Sequence, residues 1–192
     1  MKHGLVLVAS AAALAACNKG PDVDVKNASV GEVAEKVRDA AGTDSLIEPG
    51  KWETKITMID IDVPGMAPQM AEQMKQTMAR FQEHGFTSCL TEADVKRPKE
   101  DFFAGRNHNC RYDHFTMSGG KIDAALHCEG RSNMTMSING TYSSDAYEAT
   151  MAMDVAGGPE GKGMKMRSHS QSHRLGQCTP EELSEKAARA GK

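Results

Sequence analysis

Two alternating runs, Asn109 to Met117 and Lys121 to Glu129, flank Ser118-Gly119-Gly120, and this arrangement constrains the fold of the chain more than any other feature. Alternation with period two reads as strand, and a short glycine-bearing connection between two such runs reads as a hairpin. Taken as a three-residue loop with glycine in the left-handed position, the turn centres on Gly119. That register sets Cys110 opposite Cys128, Tyr112 opposite Leu126 and Thr116 opposite Ile122. A cross-strand disulfide between Cys110 and Cys128 follows, which leaves Cys89 to pair with Cys178. On the loop-entropy model the two links constrain the unfolded chain by about 3 and 4–5 kcal/mol. No C-x-x-C occurs, so neither a redox motif of the thioredoxin kind nor a zinc knuckle is indicated.

The next hairpin offers two registers. Asn139-Gly140 is the stronger two-residue turn signal, but turning there sets Met136 against Ser143 and Met134 against Asp145. Turning at Ser144-Asp145 pairs Tyr142 with Tyr147, Ile138 with Met151, Met136 with Met153 and Met134 with Val155. Apolar residues then face apolar partners, so the second register is expected.

Elsewhere, Ser29 with Glu32 forms a capping box ahead of Val30, Val33 and Val37, predicting a short helix within 29–44 that Gly42 ends. Pro49-Gly50 opens a strand in which Trp52, Thr54, Ile56 and Met58 alternate with polar residues. Met66 to His84 reads as a helix with Met66, Met70, Met74 and Met78 every four residues and Phe81 completing the apolar side. A strand begins at Met164, and Thr179 to Glu182 caps a short C-terminal helix or tail over 179–192. The expected fold is α+β and mainly antiparallel β. It is a six-stranded twisted meander in sequence order, partly closed, with one Met-rich helix packed on it and short terminal helices. The disulfide-braced β-rich domain is expected over 45–178.

The N-terminus gives an address. Met1-Lys2-His3 precedes an apolar run from Gly4 to Ala16, 13 residues long, which suits a signal peptide and is too short to span a bilayer. Leu14-Ala15-Ala16-Cys17 resembles the lipobox of bacterial lipoproteins, which implies cleavage after residue 16 and lipidation at Cys17. Residues 17–28 are polar and contain Gly20-Pro21, and they read as a flexible tether. Two or three acyl chains hold a protein stably at a membrane, at about 0.8 kcal/mol per buried methylene. Asn18 stands where Asp in lipoproteins resembles an inner-membrane retention signal, so the expected place is the outer membrane, facing the periplasm. Losing Lys2 leaves 22 of the 23 basic side chains against 26 acidic ones. A mildly acidic chain without a basic block has no electrostatic footprint for nucleic acid.

Chemistry is thinly signalled. His169 and His173 are four apart, but on a strand they lie roughly 13 Å from each other, too far to share one ion. By simple alternation His114 and His127 fall on opposite faces of their hairpin. Asp113, Asp123 and Asp154 show no obvious partner and read as solvated-face charges. Thirteen methionines admit a copper or other soft-metal reading, while adaptable core packing accounts for them as well in a chain with five Phe and one Trp. A Met-lined groove between helix and sheet, formed by Met66, Met70, Met74, Met78 and Phe81, is the candidate apolar site. No G-x-S-x-G, H-E-x-x-H, phosphate-binding loop or dinucleotide fingerprint is present, so no catalytic residue, resident metal or cofactor is assigned.

Pro49-Gly50-Lys51-Trp52-Glu53, Cys89-Leu90-Thr91, Gly140-Thr141-Tyr142 with Tyr147, and Gly176-Gln177-Cys178 together resemble the bacterial domain-of-unknown-function family 3617. The resemblance covers about Leu46 to Cys178. It implies a small, disulfide-bonded, β-rich envelope protein, secreted or lipid-anchored, and brings no catalytic residues. The expected function is a lipid-anchored periplasmic binding or interaction domain, not an enzyme. Its expected partners are the membrane, through lipid on Cys17, and an envelope protein or apolar ligand. The alternative is a periplasmic protein handling copper or another soft metal through Met and His.

Overall fold

The computed structural model describes residues 21–42, 46–82, 85–96, 109–130, 133–157 and 163–190. Expectations for residues 1–20, Cys17 among them, and for the side chains of Met78 and Phe81 lie outside the described residues.

The strands are β1 (Val23–Ser29), β2 (Gly50–Asp62), β3 (Phe86–Leu90), β4 (Cys110–Ser118), β5 (Lys121–Cys128), β6 (Met134–Tyr142), β7 (Ala146–Val155) and β8 (Met164–Gly176). Between them lie α1 (Val30–Ala41), α2 (Pro68–Gln82) and the short α3 (Glu92–Lys96), and α4 (Pro180–Ala190) follows β8. All eight strands form one open antiparallel sheet in the order β1-β4-β5-β6-β7-β8-β2-β3.

The mainly antiparallel α+β class holds, but the sheet has eight strands and not six. β1 takes residues 23–28 out of the expected tether. The short alternation of Val23 and Val25 with Asp24 and Lys26 becomes a strand because β4 offers it an edge. β3 forms beside β2, where Gly85 approaches the Thr54 carbonyl so closely that a Cβ would lie 2.9 Å from it. The order differs as well: the meander runs from β4 to β8, and β2 joins β8 instead of leading it. With β1 on the outer edge of β4, the edge left for β2 is that of β8.

The helices exchange their expected roles. In α1, Ser29 Oγ accepts from the Glu32 amide at 3.2 Å while the Ser29 amide donates to Glu32 at 2.6 Å, completing the capping box. Its Val33 and Val37 are fully buried against Val23, Tyr112, Phe115, Met117, Ala124 and Leu126. Burying side chains of this size contributes about 1.5–3 kcal/mol each. The Met-rich α2 packs on β2, with Met74 half-buried and Met70 59% exposed, and Met66, just before the helix, is half-buried. The core helix is therefore α1.

The β4–β5 hairpin pairs Cys110 with Cys128 and Tyr112 with Leu126, but Thr116 faces Asp123 and Met117 faces Ile122. The turn is the two-residue Gly119-Gly120, both at positive φ, which is the type that matches strand twist. The shorter turn is offset by a bulge at Asp113. That bulge leaves Tyr112 and Phe115, three apart, both on the inner face, where their rings meet edge to face at 5.4 Å. Burial also pushes the Tyr112 phenol up to about 12. The β6–β7 hairpin adopts the Ser144-Asp145 register, with Met136 opposite Met153 and Met134 opposite Val155. Gly140 then sits inside the sheet because a Cβ there would lie 2.2 Å from the Glu148 carbonyl.

Two disulfides brace the sheet, Cys110–Cys128 across one hairpin and Cys89–Cys178 linking β3 to the segment after β8. The latter also holds α4, whose Glu182 pairs with Lys51 at 2.6 Å and whose Lys186 pairs with Asp94.

Candidate binding face

Alternation gives the sheet two chemically distinct faces. On the inner face, the half under α1 is filled by the core just described. The other half, over β6, β7, β8 and β2, carries apolar residues with less cover. Four cross-strand rows are read from the register. Tyr142, Tyr147, Ser172, Thr54 and Phe86 form one, and Gly140, Ala149, Ser170 and Ile56 the next. Ile138, Met151, Ser168 and Met58 follow, and then Met136, Met153, Met166 and Ile61. Ile56 is 40% and Phe86 55% exposed, and the methionines are half-buried.

Ser168, Ser170, Ser172 and Thr54 are buried between these larger neighbours and make a floor of small side chains. Thr54 and Ser172 share a hydroxyl–hydroxyl bond of 2.8 Å, and Ser172 Oγ donates to the Glu53 carbonyl at 3.0 Å. Among the described residues no buried side-chain nitrogen or oxygen lacks a partner. The face therefore offers mainly apolar area and thioether sulfur over a floor whose buried hydroxyls are already bonded.

The outer face is polar and laced with histidine–carboxylate pairs across strands. His114 Nε2 lies 2.5 Å from Asp123 Oδ1, His127 Nδ1 2.8 Å from Asp113 Oδ1, and His169 Nε2 3.1 Å from Glu148 Oε1. His173 Nε2 stands 3.7 Å from Glu53 Oε2, and Asp154 pairs with Lys165 at 3.5 Å. The three aspartates expected to stand alone each have a partner. His114 and His127 also share this face, because the Asp113 bulge reverses the alternation between them. The signal was present in the sequence: two polar residues, Asp113 and His114, separate two inward aromatics.

Thr150 Oγ1, His169 and Glu148 have the connectivity of a nucleophile, base and orienter, with 3.4 Å between Thr150 Oγ1 and His169 Nδ1. They lie on the strands β7 and β8, and of the three only Glu148 lines a depression. β7 pairs on both sides, so its backbone N–H groups are committed to the ladder and none is free to stabilise an oxyanion. Among the described residues no three His, Cys, Asp or Glu side chains gather as metal ligands.

Of the candidate groove residues, Met70 and Met74 stand on α2 beside β2, Met66 lies two residues before that helix, and none of the three is fully buried. Two open depressions, of about 430 and 420 Å³, are present, and no residue of α2 lines either. The first is lined by Asp60, Thr135, Asp154, Lys165 and Arg167 among others, the second by residues around Tyr142 and His173. The apolar surface that sequence reasoning missed is the open half of the sheet itself, since it emerges only when β2 is placed beside β8. No described helix is long and apolar enough to cross a membrane.

The family model DUF3617, described as a protein of unknown function, matches residues 47–178. Neither a curated protein nor a solved structure matches the chain. The match runs from just before β2 to the second disulfide and takes in the whole open face. It covers more than two thirds of the 192 residues, and the chain belongs to the DUF3617 family.

Proposed function

We propose that the protein is a non-enzymatic binding domain of the bacterial cell envelope, anchored by lipid on Cys17 at the outer membrane and facing the periplasm. Its inner sheet face over β6, β7, β8 and β2 takes an apolar ligand such as an acyl chain. The observation that carries this reading is the half-covered apolar face, with Ile56 and Phe86 exposed at one side and half-buried methionines across it. Exposed apolar surface with continuous extent marks binding sites in soluble domains. The lipobox-like Leu14 to Cys17 supports the anchor, and the absence of a recognised catalytic motif supports a binding role.

The test is native mass spectrometry of the full chain carrying Cys17→Ser, purified in detergent, beside palmitate labelling of the unaltered chain in cells. A lipid-sized adduct removed by organic solvent and abolished by Ile56→Asp, together with label that depends on Cys17, is expected. A clean apo mass after incubation with fatty acid sinks the binding reading, and label that survives Cys17→Ser sinks the anchor.

A second reading, a periplasmic handler of copper or another soft metal, is favoured by one observation: Met136, Met153 and Met166 align directly across three adjacent strands.

A further inference from the structure

We propose that Met136, Met153 and Met166 form a three-thioether site for Cu(I), which rests on the soft-metal reading and deepens it, within the face that the apolar-ligand reading also uses.

The register places Met136 opposite Met153 and Met153 opposite Met166, so that one row holds three consecutive methionines on the same face. Directly opposed residues of antiparallel strands stand about 4.5–5.5 Å apart at Cα. Met153 is thus central, with a thioether arm of three rotatable bonds within reach on either side. Met134 and Met164 flank the row at the next inward positions of β6 and β8, which supplies further sulfur to the same patch.

Packing is one account of these residues, but strand propensity does not favour them. Val and Ile fit a strand better than Met, and ordering an unbranched side chain costs more entropy. Met136 packs against the core under α1, while Met153 and Met166 lie beyond it, on strands outside the α1 core. Each is half-buried, which partly dehydrates a bound ion yet leaves it a way in.

The donor set selects the ion. Thioethers are soft and favour Cu(I) over zinc, magnesium or calcium. The row itself offers only sulfur: the histidines and their carboxylates project from the outer face, and the four described cysteines are spent in disulfides. Asp60 and Asp154 share a depression with Met153 and Met166, but carboxylate oxygens are hard donors that suit magnesium, calcium or manganese and not Cu(I). Cu(I) is bound as such, so no electron transfer is involved.

The probe is Ag(I), an air-stable soft cation, titrated into the full chain carrying Cys17→Ser with its methionine methyls labelled with carbon-13. Native mass spectrometry counts bound ions, NMR identifies the methyls that move, and competition with a chromogenic Cu(I) chelator extends the result to copper. One ion per chain and shifts at Met136, Met153 and Met166 are expected. The triple Met→Leu variant, which keeps volume and apolarity, should bind at least about tenfold more weakly. Substituting Met66, Met70 and Met74 by Leu should leave binding unchanged. No stoichiometric Ag(I) overturns the soft-metal reading altogether. An ion that moves other methyls, or that the triple variant retains, overturns this site and leaves that reading standing. Because the methyl shifts are read on unsubstituted methionines, the result does not depend on the variant folding.

Discussion

Asn27 of β1 lies opposite Asp113 of β4, between the pairs Lys26–His114 and Ala28–Tyr112, and both are extra residues relative to the register of β5. Asn27 is at φ 57°, the left-handed region, and is alone among the described non-glycine residues in having positive φ. Two strands thus bulge together, and the Asn27 carbonyl accepts from Arg111 Nη2 across the gap.

Asn tolerates this conformation better than other residues, and a β-branched side chain tolerates it poorly. Asn27→Val should cost about 1–2 kcal/mol. Asn27→Gly should change stability by less than about 0.5 kcal/mol, because easier local geometry offsets a looser unfolded chain. Thermal unfolding of the two variants separates them, and equal losses would show that backbone conformation is not the cause.

The same bulge explains what the sequence revealed and what it concealed. Cys110 and Cys128 face each other under a three-residue loop with no bulge, and equally under a two-residue turn with one. The disulfide was legible although Thr116 was misplaced by one position. Asp113 bulges opposite Asn27 of β1, and β1 was not visible in a polar stretch that resembled a tether. The Met66 to Met78 row is legible as a helix, whereas Met136, Met153 and Met166 stand in strands. Their alignment required both the Ser144-Asp145 register, which apolar pairing decided, and the placement of β8 beside β7. The side-by-side placement of β2 and β8 is a long-range pairing with no local signal, so the extent of the open face was not readable.

The disulfides close loops of very different size, with sequence separations of 18 and 89. Peptide mapping without reduction should recover Cys110–Cys128 and Cys89–Cys178 alone, and a Cys89–Cys110 peptide would refute the fold. Replacing Cys89 and Cys178 together by Ser should lower stability by about 4–5 kcal/mol, against about 3 kcal/mol for the other pair, when the denatured chain dominates the effect. Chemical denaturation of both double variants gives the ranking directly.

Two glycines predict opposite responses to one methyl group. Gly31 lies in α1 with nothing within 4 Å of a Cβ placed there, so Gly31→Ala should stabilise by about 0.5–1 kcal/mol through helix propensity. At Gly140 the added Cβ would meet the Glu148 carbonyl at 2.2 Å and Ala149 Cα at 2.8 Å, backbone atoms that cannot swing aside. Gly140→Ala should therefore cost about 1–3 kcal/mol, the range for overpacking, with loss of the Ile138–Met151 pairing next to it. Hydrogen exchange at β6 and β7 reports the second effect, and unchanged protection in the Gly140→Ala variant would count against the close approach.

The docking of α4 should be acid-labile. Glu182 is held below the ordinary carboxylate range by its hydrogen bond to Lys51, then by the Thr179 amide. Asp94 is raised by partial burial, but hydrogen bonds from Lys186 and Thr91 outweigh that and leave it lowered. A carboxylate with a depressed folded pKa contributes stability that is present above its unfolded value and lost as pH falls through the folded value. Both contacts should therefore hold at neutral pH and weaken below about pH 4, the unfolded value of such groups. Cys89–Cys178 tethers the start of α4, so the helix should loosen without leaving. Limited proteolysis between residues 182 and 190 should accelerate on acidification, with the β4–β7 sheet still protected. In the Lys51→Met, Lys186→Met variant the same cleavage should be fast already at pH 7 and lose most of its pH dependence. If that variant instead keeps the acid response of the parent, these two ion pairs are not what holds α4 to the sheet.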